Sequence, residues 1–442
     1  MNIRLSDHFT YKKLAHFVLP SIIMMIFTSI YGVVDGLFVS NFVGKTAFAS
    51  LNFVTPFIMI LGGMGFMVGT GGSALVAREL GRGNREKADR YFTMMLIFTV
   101  LLGLLLTMGG LLFVRPISLM LGATEAMLED CVLYGSIVIS FTTAFMLQNV
   151  FQSFLVVAER PRLGLVFTVA AGVTNAILDA VFIIGFGWGL AGAALATGIG
   201  QCVGGLAPLV YFLRPGANLR LHKTGLEARP LLKACANGSS ELMSNISSSI
   251  VSMLYNFQLL RLIGEDGVSA YGVLMYVQFI FIAIAIGYAI GSAPIVSYHY
   301  GAQNHGELKN MLRKSVTLAA GSGVVLTALA LALAGPLAKL FVGYDPGLYA
   351  LTVHAFRLFA FSFLLAGFNI FASGFFTALN DGGVSATISF LRTLVFQALS
   401  VLLLPLILGI DGIWWAITVA EVFACLISVI FLAAKRKKYH YI

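Results

Sequence analysis

The sequence predicts an all-α membrane protein with twelve transmembrane helices in two homologous six-helix bundles around a central cleft. Three observations lead there: scarce charge, twelve apolar runs of bilayer length, and a repeat at one constant offset. Charged residues make up 11% of the 442 and hydrophobic ones 59%, whereas a soluble domain carries roughly 25% charged residues. That composition excludes an ordinary water-soluble enzyme. Low charge with only 11 Pro also argues against disorder. Cys131, Cys202, Cys235 and Cys425 are scattered without the spacing of a disulfide framework or a zinc site. The first apolar run follows a polar start, Met1 to Lys13, and no small-residue cleavage site comes after it, so it is expected to stay as a helix.

A helix crosses a bilayer with about 20 largely apolar residues, because hydrocarbon offers no partner to backbone N–H and C=O groups. Runs of that kind lie near 14–42, 46–77, 91–114, 131–157, 163–187, 190–213, 232–262, 268–298, 315–341, 349–378, 384–409 and 412–434. None of the joining segments has the length of a soluble domain. Lys and Arg accumulate on the cytoplasmic side of membrane proteins. Alternate loops and both termini together carry 22 of the 28, against only Lys45, Arg115, Arg261 and Lys339 on the other side. Both termini are therefore expected in the cytoplasm, with the chain in the cytoplasmic membrane. These cations sit in short loops and in the tail Lys435-Arg436-Lys437-Lys438. They read as orientation signals and contacts to lipid headgroups, not as a nucleic-acid surface.

A constant offset of 220 aligns the two halves without a gap over most of their length, and it pairs Gly44 with Gly264, Gly81 with Gly301, Asn84 with Asn304, Asn149 with Asn369, Ser153 with Ser373 and Gly192 with Gly412. Each copy holds an even number of spans, so the two are related by an axis along the membrane normal. The expected division is an amino-terminal bundle over 1–213 carrying the cation site, a cytoplasmic linker over 214–231, and a carboxy-terminal bundle over 232–442. Two bundles flanking a cleft suit alternating access. A channel fits less well, because the sequence has neither a filter-like loop nor a ring of like charges.

An ionised group at mid-bilayer costs at least about 2.5–3.5 kcal/mol, so each one needs a partner or a purpose. At 1.5 Å per residue, Asp35, beyond Pro20 in the first span, falls in the outer half of the membrane. Asp179 comes about 24 Å along the fifth span, and Asn175 shares its face. Thr197 lies about 12 Å into the sixth span from the outside. Two carboxylates, an amide and a hydroxyl thus share one level of one bundle. Two such acids in low dielectric resist ionising together, so the pair can hold a proton and release it on hydration, and the same oxygens suit a small hard cation. The second bundle lacks these acids: Asp35 corresponds to Tyr255 and Asp179 to Leu399. It offers instead Glu241, a candidate second acid that follows Gly238-Ser239-Ser240 and reads equally as a group at a broken helix start or as a helix cap, and Glu421. Arg357 and Arg392 read as structural, either snorkelling or paired with acids, and His354 as a packed hydrogen-bonding residue.

The glycine run from Gly62 to Gly72 lacks the Gly-Lys-Ser/Thr ending of a phosphate loop and reads as close helix packing. No Walker, zincin or nucleophile-elbow pattern appears, so no enzyme activity is expected and the energy is expected from an ion gradient or a partner. The 36 Phe, 16 Met and 15 Tyr permit an adaptable aromatic cleft for organic cations.

Several segments together resemble the multidrug and toxic compound extrusion (MATE) family, in its MepA-like bacterial branch. They are Pro20, Val34-Asp35-Gly36-Leu37-Phe38-Val39, Gly81-Arg82-Gly83-Asn84, Asn175-Ala176-Ile177-Leu178-Asp179, Gly189 to Thr197, and Gly301-Ala302-Gln303-Asn304. The resemblance covers nearly the whole chain. It implies a twelve-helix antiporter that exports amphipathic organic cations in exchange for H⁺ or Na⁺, with no cofactor beyond the coupling ion. It also implies a cation site at Asp35, Asn175, Asp179 and Thr197, which are metal ligands if the ion is Na⁺. Tyr134 is implied to lie nearby and Pro20 at a helix bend. Expected partners are small cationic or amphipathic molecules and membrane lipids, with the protein a monomer. The alternative is a lipid-linked precursor flippase of the same superfamily, for which a cationic central cavity is expected.

Overall fold

The computed structural model describes residues 3–120, 123–214 and 216–441. Among these residues every regular element is helical, and the helices form twelve spans. They are α1 (Tyr11–Phe42), α2 (Lys45–Gly81), α3 (Arg85–Met120), α4 in two pieces (Glu125–Ser140 and Thr142–Val157), α5 (Pro161–Gly185) and α6 (Gly189–Phe212). The second series is α7 (Ala228–Leu262), α8 (Glu265–Gly301), α9 (His305–Val342), α10 (Pro346–Ala378), α11 (Gly382–Leu408) and α12 (Ile410–Tyr439). By length and composition ten of these helices qualify to cross a membrane, and α4 makes eleven when its pieces, bent by 53°, count as one span. The twelfth, α7, is long enough but polar. Its amides are used inside the protein: Asn237 Nδ2 donates to the Thr377 carbonyl at 2.8 Å and Gln258 Nε2 to the Val401 carbonyl at 3.2 Å. A helix with such internal partners does not need to be apolar all round.

The repeat is visible in the backbone. Left-handed φ values recur 220 residues apart, at Gly44 (130°) and Gly264 (90°), Gly83 (77°) and Gln303 (56°), and Gly189 (55°) and Gly409 (63°). The break in α4 at Phe141 has its counterpart in a tight 3₁₀ turn of α10, Ala360–Ser362. Glu241, by contrast, neither caps a helix nor sits at a broken start. The helix begins at Ala228 and runs unbroken past it, so the Gly-Ser-Ser stretch is helix interior.

The two halves meet where α1 packs on α8 and α2 packs on α7 and α8. A Cβ on Gly81 would overlap the carbonyl of Tyr298, and one on Gly301 would overlap the carbonyl of Arg78. These four positions are repeat counterparts, so the pseudo-two-fold axis passes between α2 and α8. Gly71 and Gly238 likewise bring α2 and α7 into backbone contact, and Gly287 brings α8 against Ser21 and Ile22 of α1. All of these contacts lie in the helix halves nearer the termini, so the cleft is closed at that end. The amino-terminal segment reinforces the closure. Its Leu5 N–H donates to Glu159 of one half at 2.7 Å and its Phe9 N–H to Glu307 of the other at 2.9 Å. Burial raises the Glu159 carboxyl above its usual range.

Because no side chain fits at these crossings, Gly71→Ala is expected to lose about 1–3 kcal/mol of stability through overpacking. Gly109→Ala, where nothing lies within 4 Å, is expected to be neutral or slightly stabilising, since Ala is the better helix former. Thermal unfolding of both variants in detergent, side by side, measures the difference.

Candidate functional site

Three helices of the amino-terminal bundle converge because glycines allow it. A Cβ on Gly172 of α5 would strike the Phe27 ring of α1, with Tyr31 next to it, and one on Gly200 of α6 would press on Ala171 and Asn175 of α5. α1 therefore lies deep against α5, and Asp35 reaches the α5 face that carries Asn175 and Asp179. Asp35 faces Asp179, Asn175 and Thr197. Asn175 Nδ2 donates to Thr197 Oγ1 at 3.4 Å. Tyr134 of α4 lies beside Thr197, with both acids near. Thus Asp35, Asn175, Asp179 and Thr197, which the sequence put at one level, come together with Tyr134, which only the family resemblance had pointed to. Pro20 stands apart, about 22 Å back along α1. The helix runs through it unbroken, and its missing N–H leaves the His16 carbonyl without an intrahelical donor.

The electrostatics of this cluster are unusual. Asp179 is fully buried and Asp35 is 8% exposed. Yet Asp35 Oδ1 and both carboxylate oxygens of Asp179 have no hydrogen-bond partner among the described residues. A buried charge left so is costly, so the site needs a positive guest or a proton. Two carboxylates, an amide oxygen and a hydroxyl fit a proton or a small hard cation. Among the described residues no three His, Cys, Asp or Glu side chains gather as a metal cluster. Just beyond Asp179 the helix widens into a π-helical stretch, Ala180–Gly185, a distortion that often accompanies functional sites. The sequence reading missed Tyr31, whose neighbourhood includes Asp35. It stands four residues before Asp35 on the same face of α1, which is the signal that locates it.

Glu241 is not part of this cluster. It lies in the other half, within reach of the charge of Arg392. Arg392 is paired with Glu421, and His354 with Asp411 at an exposed 2.7 Å contact. Arg357 is exposed.

A sequence profile described as MatE matches residues 20–181 and 242–402, one copy in each half. The chain belongs to the MatE family. It is 23% identical to the multidrug export protein MepA of Staphylococcus aureus (strain MRSA252), over 97% of this chain and 94% of that one. Among solved structures, MATE in complex with MaL6 matches with a TM-score of 0.93 at 21% identity over 98% of both chains. An outward-facing conformation of a multidrug resistance MATE family transporter of the MOP superfamily gives 0.92 at 22%, again over 98% of both. The MatE fold is thus shared along the whole chain, and the protein is a membrane-embedded transporter, with its clustered acids in the first half.

If Asp35 and Asp179 repel when both are ionised, Asp179→Asn removes that repulsion only where both would carry charge. The variant's melting temperature is therefore expected to exceed that of the native protein in alkaline buffer, and the gap to close in acid. A gap of the same size at every pH shows instead that the two acids do not interact.

Proposed function

We propose that the protein is a secondary-active antiporter that exports amphipathic organic cations in exchange for H⁺ or Na⁺, with Asp35 and Asp179 as the coupling site. The observation that carries this reading is the pair of buried carboxylates facing each other on α1 and α5, three of whose four oxygens have no hydrogen-bond partner among the described residues. Membership of the MatE family and the printed name of the MepA relatives, a multidrug export protein, support the direction of transport. The end that holds the termini carries 22 of the Lys and Arg residues and is read as cytoplasmic. Since the glycine contacts close that end, the conformation is read as open to the outside of a cytoplasmic membrane. The working unit is read as one chain, held among anionic lipids at its basic loops.

The exchange follows from electrostatics. With the pair ionised, an organic cation in the cleft gains attraction in a medium of low dielectric. A proton or Na⁺ arriving from outside at Asp35, the more exposed of the two, neutralises the pair and removes that attraction. The drug then leaves outward. Neutralisation also frees α1 to repack around Pro20, and the bundles rock about the α2–α8 axis so that the ion is released at the other side. Asn175, Thr197 and Tyr134 orient the carboxylates and complete the ion's shell. Asp35→Asn is expected to abolish gradient-driven ethidium transport into everted membrane vesicles, with pH and Na⁺ gradients imposed separately to identify the ion. Undiminished transport in that variant removes the site from the mechanism.

A further inference from the structure

The second half also holds ionisable groups in the membrane, on the repeat counterparts of the same three helices. The first site draws on α1, α5 and α6. In the second half, Glu241 comes from α7, Arg392 from α11 and Glu421 from α12. The registers differ: Arg392 corresponds to Gly172, Glu421 to Gln201 and Glu241 to Ser21. All three therefore lie nearer the termini than Asp35 and Asp179 do. α5 has a π-helical stretch just after Asp179, and α11 has one over Leu391–Phe396 with Arg392 inside it.

The charge arithmetic of the two sites is opposite. Arg392 Nη2 lies 2.8 Å from Glu421 Oε1, and its Nε donates to both Glu421 oxygens at 3.0 and 3.1 Å. Asn369 Nδ2 adds a bond to Glu421 Oε2 at 2.7 Å. Glu421 is thereby saturated, in contrast to Asp179. The same guanidinium's charge reaches Glu241 on α7, which is partly buried and makes no ion pair within 4 Å among the described residues. A bidentate Arg–carboxylate pair of this depth is strongly oriented, and removing one member leaves the other uncompensated.

We propose that Arg392 is a tethered cation which keeps the carboxylates of the second half permanently compensated, so that ion exchange is confined to the first half. Neutralising Arg392 then turns Glu421 and Glu241 into a second exchangeable cation site. The inference rests on the reading that the coupling ion binds at Asp35 and Asp179, and the first arm of the experiment tests that reading by itself.

Binding of ²²Na⁺ in alkaline buffer and proton uptake on acidification are counted per molecule of purified full-length protein. Asp35→Asn/Asp179→Asn is expected to bind fewer cations than the native chain. An unchanged count there overturns the first-half reading and leaves Arg392 to be judged by its own arm. Arg392→Gln is expected to gain about one bound cation, to keep the gain when Asp35 and Asp179 are also neutralised, and to lose it when Glu241→Gln and Glu421→Gln are added. A folded Arg392→Gln protein with the native count overturns the proposal. If Arg392→Gln unfolds in neutral buffer without salt, folding is expected to return in acid or with Na⁺, because a free cation then replaces the tethered one. Failure of both to restore it assigns Arg392 a packing role and equally overturns the proposal. Arg392→Lys, which keeps the charge, is expected to retain the native count.

Discussion

The backbone contact of α2 with α8, at Gly81 against Tyr298 and Gly301 against Arg78, is the constraint on which the rest of the structure depends. Because the four residues are repeat counterparts, the contact defines an axis as well as a seal. Any side chain at either glycine would push the halves apart, and a seal made of backbone can slide without a change in its chemistry. With α1 on α8 and α2 on α7 closed around it, space for a cleft exists only toward the opposite end. The depth of the acid pair then acquires meaning, because Asp35 and Asp179 lie in that more distant half.

Hydrocarbon also dictates how charges are used. Most cations lie near helix ends or in loops, outside the hydrocarbon, where they orient the chain. Those acids that enter the membrane follow two different solutions. Glu421 is bound by Arg392 and Asn369, so its desolvation is offset by fixed partners. Asp35 and Asp179 face each other among neutral groups, with no cation beside them, and keep three oxygens free of hydrogen bonds among the described residues. A fixed partner yields structure. A missing one leaves a place for an ion that comes and goes, which is what coupling requires. The fold thus uses one architecture twice, with different charge content in each copy.

Much of this was legible in the sequence because hydrophobic runs and a constant offset survive averaging over many residues. Most span ends were found within a few residues, although α3 and α9 run further than their apolar cores, α9 from His305 where 315 was expected, and Asn175 with Asp179 was read from helical spacing alone. Tyr31 obeys the same spacing relative to Asp35 and was overlooked, since a tyrosine in an aromatic-rich span does not stand out. The Arg392–Glu421 pair was not legible: its members are 29 residues apart, and which of several acids an arginine meets depends on helix rotation that no local pattern encodes. Glu241 was misplaced at a helix start because Gly238-Ser239-Ser240 has the composition of a cap. Tertiary contacts with α2 and α10 override that propensity and carry the helix through. The polarity of α7 has the same origin, in contacts that only the folded pair of bundles supplies.

The most direct measurement of the central claim is a distance across the open end of the cleft as the coupling ion is added. Met120 at the end of α3 and Tyr344 between α9 and α10 are exposed there, one in each half. Spin labels at both positions, in a chain without its four native cysteines, give that distance by pulsed electron resonance. The expected result is that acid or Na⁺ redistributes the native protein between two distances, while Asp35→Asn/Asp179→Asn holds one distribution whatever the ion. An equal ion-driven shift in the doubly neutralised protein would contradict the assignment of coupling to these two carboxylates.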